Sequence, residues 1–205
     1  MSTERRRLAV VLARHDARPG TPPGVDPEAF AAACLADSYE VVAGLTGVAA
    51  SIAGPPAVRE LLWSADRWWP EDLPLPALAA EAAAVADELV LVPADVPDLP
   101  ALVLAKVFKA LLHADVVIAP QRGGDGCAAL GLALPVAGWL PVESLDLDHN
   151  PYDALATAAP RRRSCALAPD WHRLREPAAV HGLDPGLEGW EETRALLAGS
   201  PLPRL

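Results

Sequence analysis

Apolar and polar positions fall into blocks along this chain, and the clearest series runs from Glu88 to Leu134. Residues 88–95, ELVLVPAD, are continuously apolar and rich in Val and Leu up to a terminal aspartate, which predicts a central strand buried on both faces of a parallel sheet, with Asp95 at its carboxyl end. The turn VPDLP places Asp98 ahead of a helical pattern, where Leu99, Leu102, Val103, Val107, Leu111 and Leu112 share one face and Lys106, Lys109 and His113 another. Asp98 is expected to cap that helix. A second buried strand, ADVVIAPQ, follows a crossover long enough for a right-handed parallel connection, and a glycine turn then leads to a third strand. Ligands of open α/β sheets bind outside the carboxyl ends of the strands, so the polar turns that follow them are the place to seek chemistry.

The flanks continue the alternation. Strands are expected at 8–14 and 47–53, and helices at about 27–44 and 56–64, the first of these opened by Asp26 and Pro27. The segment SADRWWPEDLPLP is expected to be an irregular connection, with Trp68 and Trp69 used for packing rather than base stacking. An Ala-rich helix over ALAAEAAAVADE precedes the central block. A short helix in PYDALATAA, a strand in RSCALAP and a last helix within LDPGLEGWEETRALLAG follow it, before a frayed SPLPRL end. The organisation expected is one domain over 1–205 with a helix at 187–199 appended.

Composition narrows the setting. The positive mean hydropathy comes from Ala, Val and Leu, yet no uninterrupted apolar run approaches a membrane span, and MSTERRRLAV lacks the apolar core of a signal peptide. A cytoplasmic chain with no membrane partner is expected. A net charge of −10 argues against a nucleic-acid partner, and the triplet Arg161, Arg162, Arg163 reads as a solvated or phosphate-contacting cluster. Cys34, Cys127 and Cys165 are far apart, with none at zinc spacing, and read as buried thiols.

The runs PADVPDLP, HADVVIAPQRGGDG and ALGL resemble the paired central motifs of the glycosyltransferase-A (nucleotide-diphospho-sugar transferase) superfamily. Within it they are most similar to an uncharacterised bacterial glycosyltransferase-like family, and more distantly to the molybdenum cofactor and 2-phospho-lactate guanylyltransferases. The resemblance implies a three-layer, Rossmann-like α/β fold with a mostly parallel central sheet. It also implies a nucleoside triphosphate or nucleotide sugar as donor, Mg²⁺, a small-molecule acceptor, and nucleotidyl or glycosyl transfer. Asp95 matches the metal-binding aspartate and Asp98 the second acidic residue of that turn, and both are candidate catalytic residues. Mg²⁺ on phosphate oxygens is held by one or two carboxylates and offsets the charge of the leaving group. Gly123, Gly124, Asp125 and Gly126 match the turn that shapes the substrate pocket, although the order here is G-G-D-G and the family's aromatic residue is missing.

The chain departs from the family's pattern elsewhere. The loop RHDARPGTPPGVDPEAF keeps the pair Pro19 and Gly20 but has no lysine, and consecutive prolines remove two backbone donors, so Arg14 and Arg18 are the nearby cations for phosphate. The family's G-D-L-G motif is also absent. Near the carboxyl end, RSCALAPDWHRLREPAAVHGL puts Trp171 and Pro177 in register with W-x-D-V-D-T-P-x-D-L. Arg173 and Arg175 then stand at the carboxylate positions, where a guanidinium pair could hold phosphate without metal. A second register places Asp146, Asp148, Pro151 and Asp153 on the acidic motif and offers Asp148 as the second metal ligand; the same residues also read as a solvated acidic turn. The later register fits Trp171 and the preceding strand better. Two functions stand: a transferase, or a catalytically degenerate member serving as a ligand-binding or protein-interaction module. The oligomeric state is not fixed by the sequence.

Overall fold

The computed structural model describes residues 5–199; the SPLPRL end lies outside them. Seven strands form one sheet: β1 (Arg7–Leu12), β2 (Ala49–Gly54), β3 (Arg67–Pro70), β4 (Glu88–Pro93), β5 (Val116–Pro120), β6 (Cys127–Ala133) and β7 (Cys165–Leu167). Their spatial order is β3-β2-β1-β4-β6-β5-β7. Every pairing is parallel except those of β6, which joins β5 through a six-residue turn and so must reverse between β5 and β4.

Helices α1 (Pro27–Ala43) and α3 (Ala101–Leu111) cover one face of the sheet, and α2 (Leu75–Ala83) and α4 (Tyr152–Ala158) the other. The layers follow from strand periodicity. Val90 and Val92 point into the cluster containing Val103, Val107 and Phe108, whereas Leu89 and Leu91 point into the one containing Leu75, Leu78 and Leu155. All six residues of β4 are buried, as an unbroken apolar run requires. The polar one, Glu88, is buried with its carboxylate held by Arg5 and Arg7, each at 3.1 Å. Asp26 opens α1 as expected, its side chain accepting from Ala29 N at 3.0 Å.

Four expectations change. Residues 56–61 form a 3-10 turn instead of an α-helix, with the Leu62 N–H donating to Arg59 O at its end. The connection after it contains the edge strand β3, parallel to β2; Trp69 is buried in the core and Trp68 Nε1 donates to Gly54 O at 3.0 Å. Asp98 does not cap α3. Pro100 holds an extended backbone ahead of Ala101, so the helix starts beyond the reach of that carboxylate. The last helix, α5, spans Glu191–Ala198, because Trp190 adopts a left-handed conformation (φ 51°) and separates it from the preceding turns. Asp37 on α1 accepts from Glu192 N and Thr193 N, at 3.1 and 2.8 Å, and satisfies the first turn of α5 from another helix. Among the described residues no helix is long and apolar enough to cross a membrane.

Candidate functional site

At the carboxyl end of β4, Asp95 is fully buried and faces Arg173. Arg173 Nε donates to Asp95 Oδ1 at 2.8 Å and Nη2 to Oδ2 at 2.9 Å, while Nη1 donates to Leu147 O at 2.5 Å. Sheet extension brings Arg173 here: Gln121 and Trp171 form a parallel bridge beyond the ends of β5 and β7 and carry residues 171–175 across the strand ends. Gly126 leaves the room, since a Cβ there would stand 3.0 Å from Arg173 Nη1 and 2.9 Å from Leu147 O. Burial pushes the Asp95 carboxyl up to about 6 against the pull of Arg173. Burial also opposes the charge of Arg173, yet Asp95 and Asp148 hold it above its ordinary value. The two-toothed geometry keeps the pair ionised at neutral pH.

Nearer solvent, three side-chain nitrogens converge on one oxygen of Asp148. Oδ1 accepts from Arg173 Nη2 at 3.0 Å, from Arg175 Nη1, and lies 3.2 Å from His15 Nδ1. His15 Nε2 is 3.7 Å from Asp146 Oδ1 and within 3.5 Å of Arg14 Nε. Ligand atoms of His15, Asp146 and Asp148 all lie within 4.8 Å of one another, a spacing that suits a cation. Burial, outweighing the pull of Asp148, holds His15 below its ordinary value, so its imidazole is neutral at pH 7 and offers a lone pair. Asp148 is held below the usual carboxylate range, with Arg175, His15 and Arg173 overcoming the cost of its burial.

The amino-terminal loop reaches the same place by a different means. Gly20 packs so closely on the 173–175 segment that a Cβ there would sit 2.2 Å from Leu174 O. Arg18 turns away and pairs with Asp16 at 2.5 Å and Glu28 at 3.1 Å, whereas Arg14 is exposed beside His15.

Asp98 lies behind the site, buried, where it accepts from Trp171 Nε1 at 3.1 Å and Asp184 N at 3.3 Å. His172 Nε2 is 3.0 Å from Asp98 Oδ1, close enough for an ion pair but outside hydrogen-bonding alignment. The turn holding Gly123, Gly124 and Asp125 is exposed, with Gly123 at φ 74°, and Gln121 packs beneath Gly124 and Gly126. Arg122, His172, Arg173, Arg175 and Glu176 line a cleft of about 490 Å³ against this turn. Burial pushes the Cys127 thiol up to about 12, which leaves it inert.

Compared with family models and with curated proteins, the sequence matches none. Solved structures do match along almost the whole chain. A protein of Desulfovibrio desulfuricans assigned as a nucleotide-diphospho-sugar transferase superposes with a TM-score of 0.64 at 17% identity, covering 96% of this chain and 95% of that one. Rv0371c of Mycobacterium tuberculosis, solved in complex with manganese, gives 0.53 at 16% identity, over 96% and 100%. A nucleotidyl transferase of Methanothermobacter gives 0.53 at 16% identity, over 95% and 99%. This chain shares the fold of these three proteins. Such identities establish the architecture alone, as the resemblance implied: an α/β, Rossmann-like fold with a mostly parallel central sheet.

Within this fold residues from the two registers meet at one guanidinium. Arg173 of the later register follows β7 and reaches Asp95, and the same guanidinium donates to Asp148 of the earlier one. The sequence reading missed His15 and the pairing of Asp95 with Arg173. A signal for His15 existed in its place just past β1, at a carboxyl end of the sheet. The pairing had a signal too, the arginines standing at the carboxylate positions of the motif.

Proposed function

We propose that this chain binds a nucleoside triphosphate or nucleotide sugar, together with a divalent cation, at the carboxyl ends of β1 and β4, and transfers a nucleotidyl or glycosyl group to a small acceptor. The observation that carries the reading is the convergence of His15, Asp146 and Asp148 within 4.8 Å at this edge. Asp95 fits poorly as a metal ligand, because both of its oxygens accept from Arg173 and it has no solvent exposure. The cation therefore belongs on the outer cluster, with Asp95 in a supporting place behind it. One imidazole nitrogen and two carboxylates suit Mn²⁺ better than the all-oxygen shell that Mg²⁺ favours. Held there, the cation would offset phosphate charge on an acidic chain. Arg14 lies beside His15, and Arg175 lines the 490 Å³ cleft, which is the candidate pocket for the phosphate-bearing substrate.

A second reading, a binding module without catalysis, has its own support: the aspartate matched to the metal ligand is closed by an arginine. Calorimetric titration with GTP, CTP, UDP-glucose and GDP-mannose, each with Mn²⁺, Mg²⁺ or chelator, separates the two. Cation-dependent binding of one nucleotide, lost in Asp146→Ala and Asp148→Asn, supports the transferase. Nucleotide binding that chelator leaves unchanged favours the module, and no binding of any nucleotide overturns both nucleotide readings.

A further inference from the structure

Arg175 stands between the cation cluster and the cleft. Its Nη1 donates to Asp148 Oδ1, the oxygen already approached by Arg173 Nη2 and His15 Nδ1, and its Nε lies 4.0 Å from Asp95 Oδ2. The same side chain lines the cleft beside Arg122, His172 and Glu176. The two arginines differ in freedom. Arg173 is fully enclosed and donates to Asp95, Asp148 and the carbonyls of Leu147 and Cys127. Arg175 is 35% exposed at its side chain and shares one hydrogen bond, with Asp148, whose Oδ1 Arg173 can go on satisfying without it.

We propose that Arg175 is an internal counter-cation for Asp148, and that a phosphate group entering the cleft draws it off, so that phosphate and a divalent cation bind cooperatively. The inference rests on the cation reading above. A guanidinium against a ligand carboxylate cancels much of the charge that would attract a metal ion. It cannot be removed by deprotonation, so it must be moved. Phosphate oxygens match its planar fork and compete well for it. With Arg175 on the phosphate, Asp148 sheds one of its two guanidinium partners and presents more negative charge to the cation; the coupling is reciprocal, so cation binding favours the anion to the same degree.

The test is Mn²⁺ binding, followed by electron paramagnetic resonance at neutral pH with and without inorganic phosphate, for the native chain, Arg175→Met and Arg175→Gln. Folding of each is checked by circular dichroism. Phosphate is expected to tighten Mn²⁺ binding to the native chain by about tenfold. Both variants are expected to bind Mn²⁺ about tenfold more tightly than the native chain without phosphate, and to respond little when it is added. Calorimetry on the native chain needs no variant, and phosphate affinity should rise by the same factor when Mn²⁺ is present. Variants that bind Mn²⁺ no tighter, or that keep the full phosphate response, overturn the role of Arg175 and leave the cation site standing. Absence of Mn²⁺ binding by all three folded proteins overturns the cation site, and this inference with it.

Discussion

Arg173 presents its Nε and Nη2 to the two carboxylate oxygens of Asp95 at 2.8 and 2.9 Å, and neither side chain touches solvent. Removing one partner strands a buried charge. Asp95→Ala and Arg173→Ala are each expected to cost about 3–5 kcal/mol of folding free energy, while Asp95→Leu combined with Arg173→Met costs markedly less. Denaturant unfolding of the three proteins checks this, and an Arg173→Ala protein as stable as the native chain would contradict the pairing.

His15 gives the site a pH dependence of defined sign. Its folded value is depressed by burial, so the unfolded chain takes up the proton first as pH falls below the ordinary 6.5. The stability tied to its neutral form is present above that value and is lost on acidification toward the lower folded value. His15→Gln should flatten the difference in unfolding midpoint between pH 7.5 and pH 5.5. The depressed Asp148 acts lower, with its contribution lost only below the ordinary carboxylate range. Mn²⁺ binding should weaken over the same window as His15 protonates. A midpoint difference unchanged in the variant would remove His15 from the account.

Gly20→Ala tests the contact between the amino-terminal loop and the arginine segment. The new methyl would meet Leu174 O at 2.2 Å, a backbone atom with no rotamer to yield. The substitution is expected to cost about 1–3 kcal/mol and to weaken Mn²⁺ binding by shifting Arg173 and Arg175. A control at Gly24, which already lies at φ 84° with no neighbour within 4 Å, would lose stability through its backbone conformation while leaving Mn²⁺ binding unchanged.

Asp37→Ala removes the cap that α1 supplies to α5. A loss of about 1 kcal/mol is expected, with faster amide exchange at Glu192 and Thr193. Equal exchange at those amides in the two proteins would show that another group caps the helix.

Much of this architecture was legible in the chain because it obeys local rules. The unbroken apolar run of β4, the Asp26 cap of α1 and the crossover through α3 all announce themselves by composition and period. β3 was hidden because Trp68, Trp69 and Pro70 read as connection, and its pairing depends on the free edge of β2, which no local pattern reveals. At the site, Asp95, Asp148, Arg173 and Arg175 could each be named, and the prominence of Asp95 was readable from its place after a buried strand. The arginines at the motif's carboxylate positions signalled a cationic partner, but that Arg173 is the one to close Asp95, across 78 residues, is set by how the sheet extends through Gln121 and Trp171. His15 had only its place just past β1 as a signal, and its partners were set when the end of β1 met the 146–148 turn.

The same long separation bears on how the protein is made. Synthesis from the amino end delivers β1, β2 and β4 with Asp95 well before Arg173 emerges. Until then the ionised carboxylate at the heart of the sheet has no guanidinium partner, and that end of the core cannot close dry around it. A nascent chain should therefore hold this edge open and hydrated, and the site should be the last part of the molecule to become watertight.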